Sequence, residues 1–179
     1  MLGASMTKGE RQRLVADLQM TAKWLEDETA HLSQAQLEYH PAPDQWSVID
    51  VLGHLNLAEP IYWQQLRDAL KEEPSGKKGQ VTDNDVLWYG IDRTIRQKTS
   101  PNKVPKSLPA DLQARLAAFR KLHAEILEYA QATSDDLRAH GLEKEGTDAY
   151  QWVLMISTHA QRHILQIREI KASRGFPAS

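Results

Sequence analysis

Two histidines near the C-terminus have a spacing that suits metal binding. His159 and His163 are four residues apart in a segment with helical periodicity, so their side chains lie on the same helix face. They interrupt an apolar stripe that includes Trp152, Ile156 and Ile167. Imidazoles in a core need partners for both ring nitrogens, and either a metal ion or hydrogen bonds can supply them. Periodicity leaves both interpretations open.

A third histidine, His54, lies in a second helical segment at the edge of its apolar stripe. If it faces the same point as the pair, three imidazoles form a site with open coordination positions, as in catalytic rather than structural metal centres. A hydrogen-bonded structural histidine is the alternative. His123, on another helical segment, has no histidine at ligand spacing. Ala160 replaces the glutamate of a His-Glu-x-x-His zinc peptidase, which excludes that class of enzyme.

The composition is that of an ordinary globular domain. The chain has 179 residues, 41% hydrophobic and 26% charged, with a formal net charge of -2. This length suits a single domain over residues 1–179. The sequence has no basic stripe of the kind that would indicate binding to nucleic acid or to an anionic membrane. No apolar run approaches the length of a membrane span. Because residues 1–8 lack a signal-peptide pattern, the cytoplasm is the expected location.

The chain contains no cysteine, and this restricts its chemistry. Disulfides, thiolate ligands and a cysteine nucleophile are excluded. A metal site must therefore use histidine, carboxylate and water, and any thiol chemistry must use a thiol that a substrate brings.

Four long segments have helical periodicity. The first opens with a capping box between Thr7 and Glu10, and the second with a similar signal at Ser47. The other two start near Pro109 and near Thr147, and the last ends before Gly175. Residues 71–109 are irregular apart from a shorter helix expected at 83–97, and no alternating strand pattern is present. We predict an all-α fold, a four-helix bundle with a long irregular excursion between the second and third long helices.

Two segments resemble a known family. Residues 46–55 (WSVIDVLGHL) resemble the Trp-Ser/Thr…His-Leu segment of the DinB-like superfamily, and residues 159–167 (HAQRHILQI) resemble its His-x-x-x-His-x-x-Gln-Ile segment. The match follows most of the chain in order and spacing. The resemblance implies a four-helix bundle in which His54, His159 and His163 bind a divalent metal, commonly zinc or nickel.

The same resemblance implies a metalloenzyme. Members of the family include S-transferases for bacillithiol-type cofactors and a mycothiol-dependent maleylpyruvate isomerase, and many others have no assigned activity. A metal with three neutral ligands activates a thiol or water for attack on an electrophile. We expect a thiol S-transferase, with a low-molecular-weight thiol as co-substrate, or a small-molecule hydrolase. A non-catalytic bundle that binds metal or a small ligand, as a stress-response or interaction protein, is the alternative.

Four further residues are candidates for orienting the ligands or lining the pocket. Gln166 lies about one helical turn beyond the histidine pair and can orient a ligand or a bound water. Glu59 and Tyr62 follow His54 within roughly two turns and are expected at the pocket mouth. Arg162 is expected either to attract an anionic substrate or to face outward as a surface residue.

Other apolar residues are assigned structural roles. Trp46, just before the second long helix, is expected to plug the end of the bundle. Exposed aromatic and leucine positions allow a homodimer, which the resemblance also implies because the family often forms dimers. A small molecule is the expected substrate.

Overall fold

Helices form nearly all the regular structure of the computed structural model, which describes residues 6–74, 80–95, 99–100, 103–104, 111–142 and 146–178. The helices are α1 Lys8–Thr29, α2 Gln34–Leu37, α3 Val48–Ala69, α4 Asp83–Ile91, α5 Leu112–Ala132 and α6 Ala149–Lys171. Two short strands, β1 Gly141–Leu142 and β2 Thr147–Asp148, pair antiparallel just before α6. The predicted all-α four-helix bundle is confirmed, with α1, α3, α5 and α6 as its long helices. Among the described helices, none is long and apolar enough to cross a bilayer.

Side chains that bind the free N–H groups of the first turn determine where the long helices start. Thr7, Ser47 and Asp148 cap α1, α3 and α6, and each forms a capping box with the residue three positions later. A cap of this kind stabilises a helix by about 1 kcal/mol. The Ser47 cap also sets the position of His54, which lies roughly two turns further along α3.

Each long helix packs against two of the other long helices. Both α1 and α3 lie between α5 and α6, so α1 and α3 occupy opposite corners of the bundle. Two hydrophobic clusters fill the interior, one containing Leu14 and Leu154 and the other containing Leu52 and Ile164. Burial of each such side chain contributes about 1.5–3 kcal/mol, which makes these clusters the main source of stability.

The short helix α4 covers the outer face of α6. Gly90 allows this close approach, because a Cβ atom there would lie 2.9 Å from Thr158 Cβ and 3.1 Å from the Thr158 carbonyl oxygen. Arg162 of α6 donates to the carbonyl oxygens of Tyr89 and Ile95, at and beyond the end of α4. As a result, α6 is buried on almost all sides over most of its length.

The structure differs from the sequence expectations at the short elements. The helix expected at 83–97 ends at Ile91, and the side chain of the next residue, Asp92, accepts from the backbone and hydroxyl of Thr94 instead. Neither α2 nor the strands are predicted, because elements this short show no period. The third long helix begins at Leu112, and its expected start at Pro109 lies outside the described residues. So do residues 75–79, 96–98, 101–102 and 105–110 of the predicted excursion.

Candidate metal centre

The three histidines selected from the sequence lie on two helices that face each other. His54 is on α3, and His159 and His163 are on α6. Their relative exposures are 3%, 4% and 9%. Ring nitrogens from all three lie within 4.8 Å of one another. Because the Nε2 atoms of His54 and His159 are only 3.2 Å apart, the rings converge on one point.

The other nitrogen of each ring, Nδ1, faces an oxygen atom. The oxygens are the Lys103 carbonyl at 2.7 Å from His54, Oε1 of Gln166 at 2.9 Å from His163 and Oε1 of Glu59 at 3.6 Å from His159. The first two distances are hydrogen bonds, and the third is slightly longer than one. Carbonyl oxygens accept hydrogen bonds, so Nδ1 carries the proton in the neutral rings of His54 and His163. The Nε2 atoms of His54 and His163 are therefore left with a lone pair, and Nε2 of His159 lies 3.2 Å from that of His54.

Lone pairs that point at one place repel each other unless a cation lies between them. Protonation of His54 or His163 does not readily supply this charge. Burial lowers the pKa of His54 to about 4, although its hydrogen bond to Lys103 acts in the opposite direction. Burial also holds the pKa of His163 well below its ordinary value. Both rings are neutral at pH 7, which is the form that binds metal ions.

The spacing and the donor type both fit a divalent metal. Two imidazole nitrogens at about 2.0–2.1 Å from a tetrahedral zinc ion lie roughly 3.3 Å apart, and the Nε2 atoms of His54 and His159 are 3.2 Å apart. Neutral imidazole suits zinc, nickel, copper and iron. Three protein ligands leave at least one coordination position for another molecule. The three buried histidines can therefore hold a divalent metal ion in an open site.

The histidines line a pocket of about 530 Å³ that opens to solvent. This volume suits a small molecule. Its walls come from the segment before α3, from α3, from α4 and the residues that follow it, and from α6; they include Trp46, Tyr62, Tyr89, Arg93 and Glu169. The ring centroid of Trp46 lies 5.0 Å from that of His54 and 6.2 Å from that of His163. A substrate that reached the histidines would therefore contact an aromatic wall.

Comparisons with known proteins agree with this architecture. Residues 8–167 match the family model of the DinB superfamily. The chain belongs to that superfamily. It is similar to YuaE, an uncharacterized protein of Bacillus subtilis strain 168, at 25% identity over 149 residues that cover 81% of this chain and 89% of YuaE.

Among solved structures, this DinB superfamily protein is similar to YfiT from Bacillus subtilis. The TM-score is 0.64 at 18% sequence identity, and the match covers 99% of this chain and 94% of YfiT. YfiT is described as a probable metal-dependent hydrolase with an unusual four-helix bundle topology. At this identity the likeness shows a shared fold.

Three of the supporting residues expected from the sequence lie in different places within this DinB fold. Gln166 contacts the His163 ring, and Tyr62 lines the pocket with its ring centroid 5.1 Å from that of His159. Glu59 is not at the pocket mouth, because it is fully buried behind the His159 ring. Five residues correspond to about 140° around a helix, so Glu59 faces a different side of α3 from His54.

Arg162 does not face outward, contrary to one of the two expectations. It has 6% relative exposure, because α4 covers this part of α6. Its guanidinium donates to two backbone carbonyls at the end of α4 and lies 4.9 Å from the ring centroid of Tyr89. Although Arg162 borders the pocket, these bonds give it a structural role in holding α4. Sequence could not show this, since nothing in the pattern of α4 identifies the helix that it covers.

Several residues around the site carry no sequence signal of their role. Trp46 packs against the hydrophobic cluster that contains Leu52, and it also lies on the pocket wall, a position that the sequence did not indicate. Lys103 contributes a backbone oxygen, which any residue would provide. His123, on α5, bonds through Nε2 to Oε2 of Glu59 at 2.8 Å. Its apolar neighbours in sequence predict burial, but they do not identify its partner.

Proposed function

We propose that this protein is a divalent-metal-dependent enzyme that acts on a small molecule, with His54, His159 and His163 as metal ligands. The convergence of three buried imidazoles at the wall of an open pocket supports this proposal most strongly. Structural zinc sites are closed by four protein ligands. Within the described part of the chain, no further histidine or carboxylate joins the three in this cluster. Hydrolysis, with water as the nucleophile, is the reaction we propose first.

The chain's own groups orient the ligands and shape the pocket. A divalent ion held by the histidines would act as a Lewis acid and make water or a thiol nucleophilic near neutral pH. The Lys103 carbonyl and the Gln166 amide each hold one imidazole in the tautomer that presents Nε2. Trp46 and Tyr62 provide flat aromatic surfaces beside the histidines, against which a small substrate can pack.

Transfer to a low-molecular-weight thiol is the second reaction that the site supports. No protein thiol competes for the open position, because the chain has no cysteine. Thiolates bind soft and borderline metals well, and both zinc and nickel accept imidazole. We therefore propose zinc or nickel as the native metal in either case. The homodimer and the cytoplasmic location stay predictions.

The first experiment measures metal content by elemental analysis in protein purified without chelators or a histidine tag. Wild type is compared with His159→Ala and with His31→Asn, a control that removes an exposed histidine at a positive φ of 63° that asparagine tolerates. We expect one divalent ion per chain in wild type and in His31→Asn, and none in His159→Ala. Absence of metal from wild type, even after incubation with zinc and nickel, would refute the proposal.

The second experiment tests turnover with a panel of small esters, lactones, amides and alkyl halides, each with and without an added thiol. We expect turnover to stop after metal removal, return with added metal, and fall by at least about 100-fold in His54→Ala. Turnover without thiol identifies a hydrolase, and turnover only with thiol identifies a transferase. If metal-loaded protein turns over nothing in the panel, the result favours the non-catalytic metal-binding bundle.

A further inference from the structure

A carboxylate is completely buried between two imidazoles on the side of His159 away from the pocket. Glu59 of α3 has 0% relative exposure. Its Oε2 accepts a hydrogen bond of 2.8 Å from Nε2 of His123 on α5. Its Oε1 faces Nδ1 of His159 at 3.6 Å, and neither of these two atoms has a hydrogen-bond partner within the described residues. The order across the bundle is therefore His159, Glu59, His123.

Burial of a carboxylate needs a compensating interaction, because the charged form loses its hydration. The hydrogen bond from Nε2 of His123 supplies one such interaction, at Oε2 of Glu59. If Glu59 only linked α3 to α5 through its hydrogen bond with His123, its other oxygen, Oε1, would not need to face His159. The arrangement is explained more completely if the carboxylate also acts on that ring.

We propose that Glu59 is a positioning residue for His159 and that His123 holds Glu59 in place. The inference rests on the proposed function, since it gives His159 a metal to bind. A carboxylate that accepts from Nδ1–H fixes the tautomer in which Nε2 has the lone pair, and its negative charge makes that lone pair a stronger ligand. The His123 ring stacks on Phe119, with ring centroids 3.9 Å apart. This packing in the core fixes His123, and His123 in turn fixes Glu59.

This assignment adds α5 to the metal centre. The pocket walls include no residue of α5. Through His123 and Glu59, however, the packing of α5 against α3 sets the orientation of a ligand on α6. The role requires the negative charge of Glu59, whereas a purely structural role requires only a hydrogen-bonding side chain of the same shape. Glu59→Gln separates the two, because glutamine keeps the shape and loses the charge.

The test measures zinc affinity by competition with a chromophoric chelator, and the visible absorption of the cobalt-substituted protein. We expect Glu59→Gln to bind zinc about 10–100-fold more weakly than wild type and to shift the cobalt bands. His123→Gln, which keeps a donor near the position of Nε2, should retain affinity within about threefold. Glu125→Gln is the matched control, because Glu125 joins α5 to α3 through Trp63 Nε1 at 2.8 Å, on the part of the interface away from the three histidines. It should leave both readouts unchanged.

The outcomes separate this inference from the proposed function. If wild type binds no metal, the proposed function fails. If wild type binds metal and Glu59→Gln binds it equally with unchanged cobalt bands, the positioning role is wrong and Glu59 is a structural tie. If Glu59→Gln does not fold, Glu59→Asp decides, since it keeps the charge and draws the carboxylate back from the rings. Weaker zinc binding by Glu59→Asp supports the proposal, and unchanged binding overturns it.

Discussion

Three kinds of oxygen orient the three imidazoles of the candidate metal centre. A backbone carbonyl faces His54, a neutral amide faces His163 and a buried carboxylate faces His159. The carbonyl and the amide accept from Nδ1–H and so hold their rings in the same tautomer, and the proposed role of Glu59 is to do the same for His159. The three oxygens differ in charge, and a charged acceptor increases the basicity of the ring more than a neutral one. His159 should therefore be the strongest of the three ligands.

The Gln166 amide provides a test of this residue-scale argument. Gln166→Met removes the acceptor from Nδ1 of His163, and we expect zinc affinity to fall by about 10-fold. Gln166→Glu keeps an acceptor and should retain wild-type affinity or exceed it. Competition with a chromophoric chelator measures both. Gln64→Met, which alters an exposed glutamine paired with Asp68 on α3, serves as the control. An equal loss in Gln64→Met would show that the effect is not local.

The sequence predicted the site residues unequally, for a physical reason. His159 and His163 share a helix face by spacing alone, and the resemblance to a family favoured His54 as a ligand over a structural histidine. Glu59 was selected, but its partner His123 on α5 could not be predicted, because that contact depends on how α3 and α5 pack and not on a motif. The contribution of Lys103 could not be predicted at all, because a backbone carbonyl is the same in every residue and only the path of the chain brings it to His54.

At the scale of elements, the contact between α4 and α6 depends on a missing side chain. A methyl group at Gly90 would come within 2.9 Å of Thr158, so the two helices would have to separate. Gly90→Ala should lower the free energy of unfolding by about 1–3 kcal/mol, measured by chemical denaturation. Gly9→Ala is the matched control, because nothing lies within 4 Å of its Cβ position in α1. We expect no loss of stability there; similar losses in both variants would rule out the close approach as the cause.

Arg138 joins the N-terminal ends of three helices. Its guanidinium bonds to Glu10 of α1, Asp83 of α4 and Asp148, the cap of α6, and it lies 3.9 Å from the ring centroid of Tyr150. Removal of one member leaves partly buried carboxylates without their partner. Arg138→Met should therefore lower the free energy of unfolding at pH 7 by about 3 kcal/mol. Lys23→Met, which breaks an exposed ion pair on α1, should cost far less stability, because solvent screens the two charges.

The Arg138 contacts also predict a pH dependence. The hydrogen bond from Arg138 holds the pKa of Asp83 below its ordinary value of 3.8 in the folded protein. The stability from this pair is thus fully present above pH 3.8 and is lost as the pH falls through the lower, folded-state pKa. The difference in unfolding free energy between wild type and Arg138→Met should shrink below about pH 4. A difference that stays constant down to pH 2 would contradict this assignment.

At the scale of the whole molecule, the site joins the two helices that meet on one side of the bundle. A ligand that binds only the folded state stabilises it, by about 2.7 kcal/mol at a free concentration 100 times Kd. Zinc or nickel at that excess should raise the Tm of the metal-free protein by roughly 5–10 °C. Calorimetry of His159→Ala should show no such rise. A rise of the same size in this variant would mean that the metal binds elsewhere.

The bundle itself was predictable because its long helices repeat their apolar pattern over many turns and begin with capping signals. The position of α4 was not, since it is decided by the Gly90 contact and by the Arg162 bonds to α4, which are tertiary. The burial of Arg162 could not be predicted either, because it depends on the position of α4. Long helices can thus be predicted from their local sequence pattern, whereas the position of a short helix depends on its tertiary contacts.

The bond between His54 and a backbone carbonyl has an evolutionary consequence. Every amino acid at position 103 presents the same oxygen, whereas the side chain of Lys103 borders the pocket, with its ammonium 4.2 Å from the ring centroid of Tyr62. Substitution at this position changes the surface that a substrate meets and leaves the partner of the histidine in place. A change of residue at position 103 can therefore alter the substrate that the pocket accepts without disturbing His54.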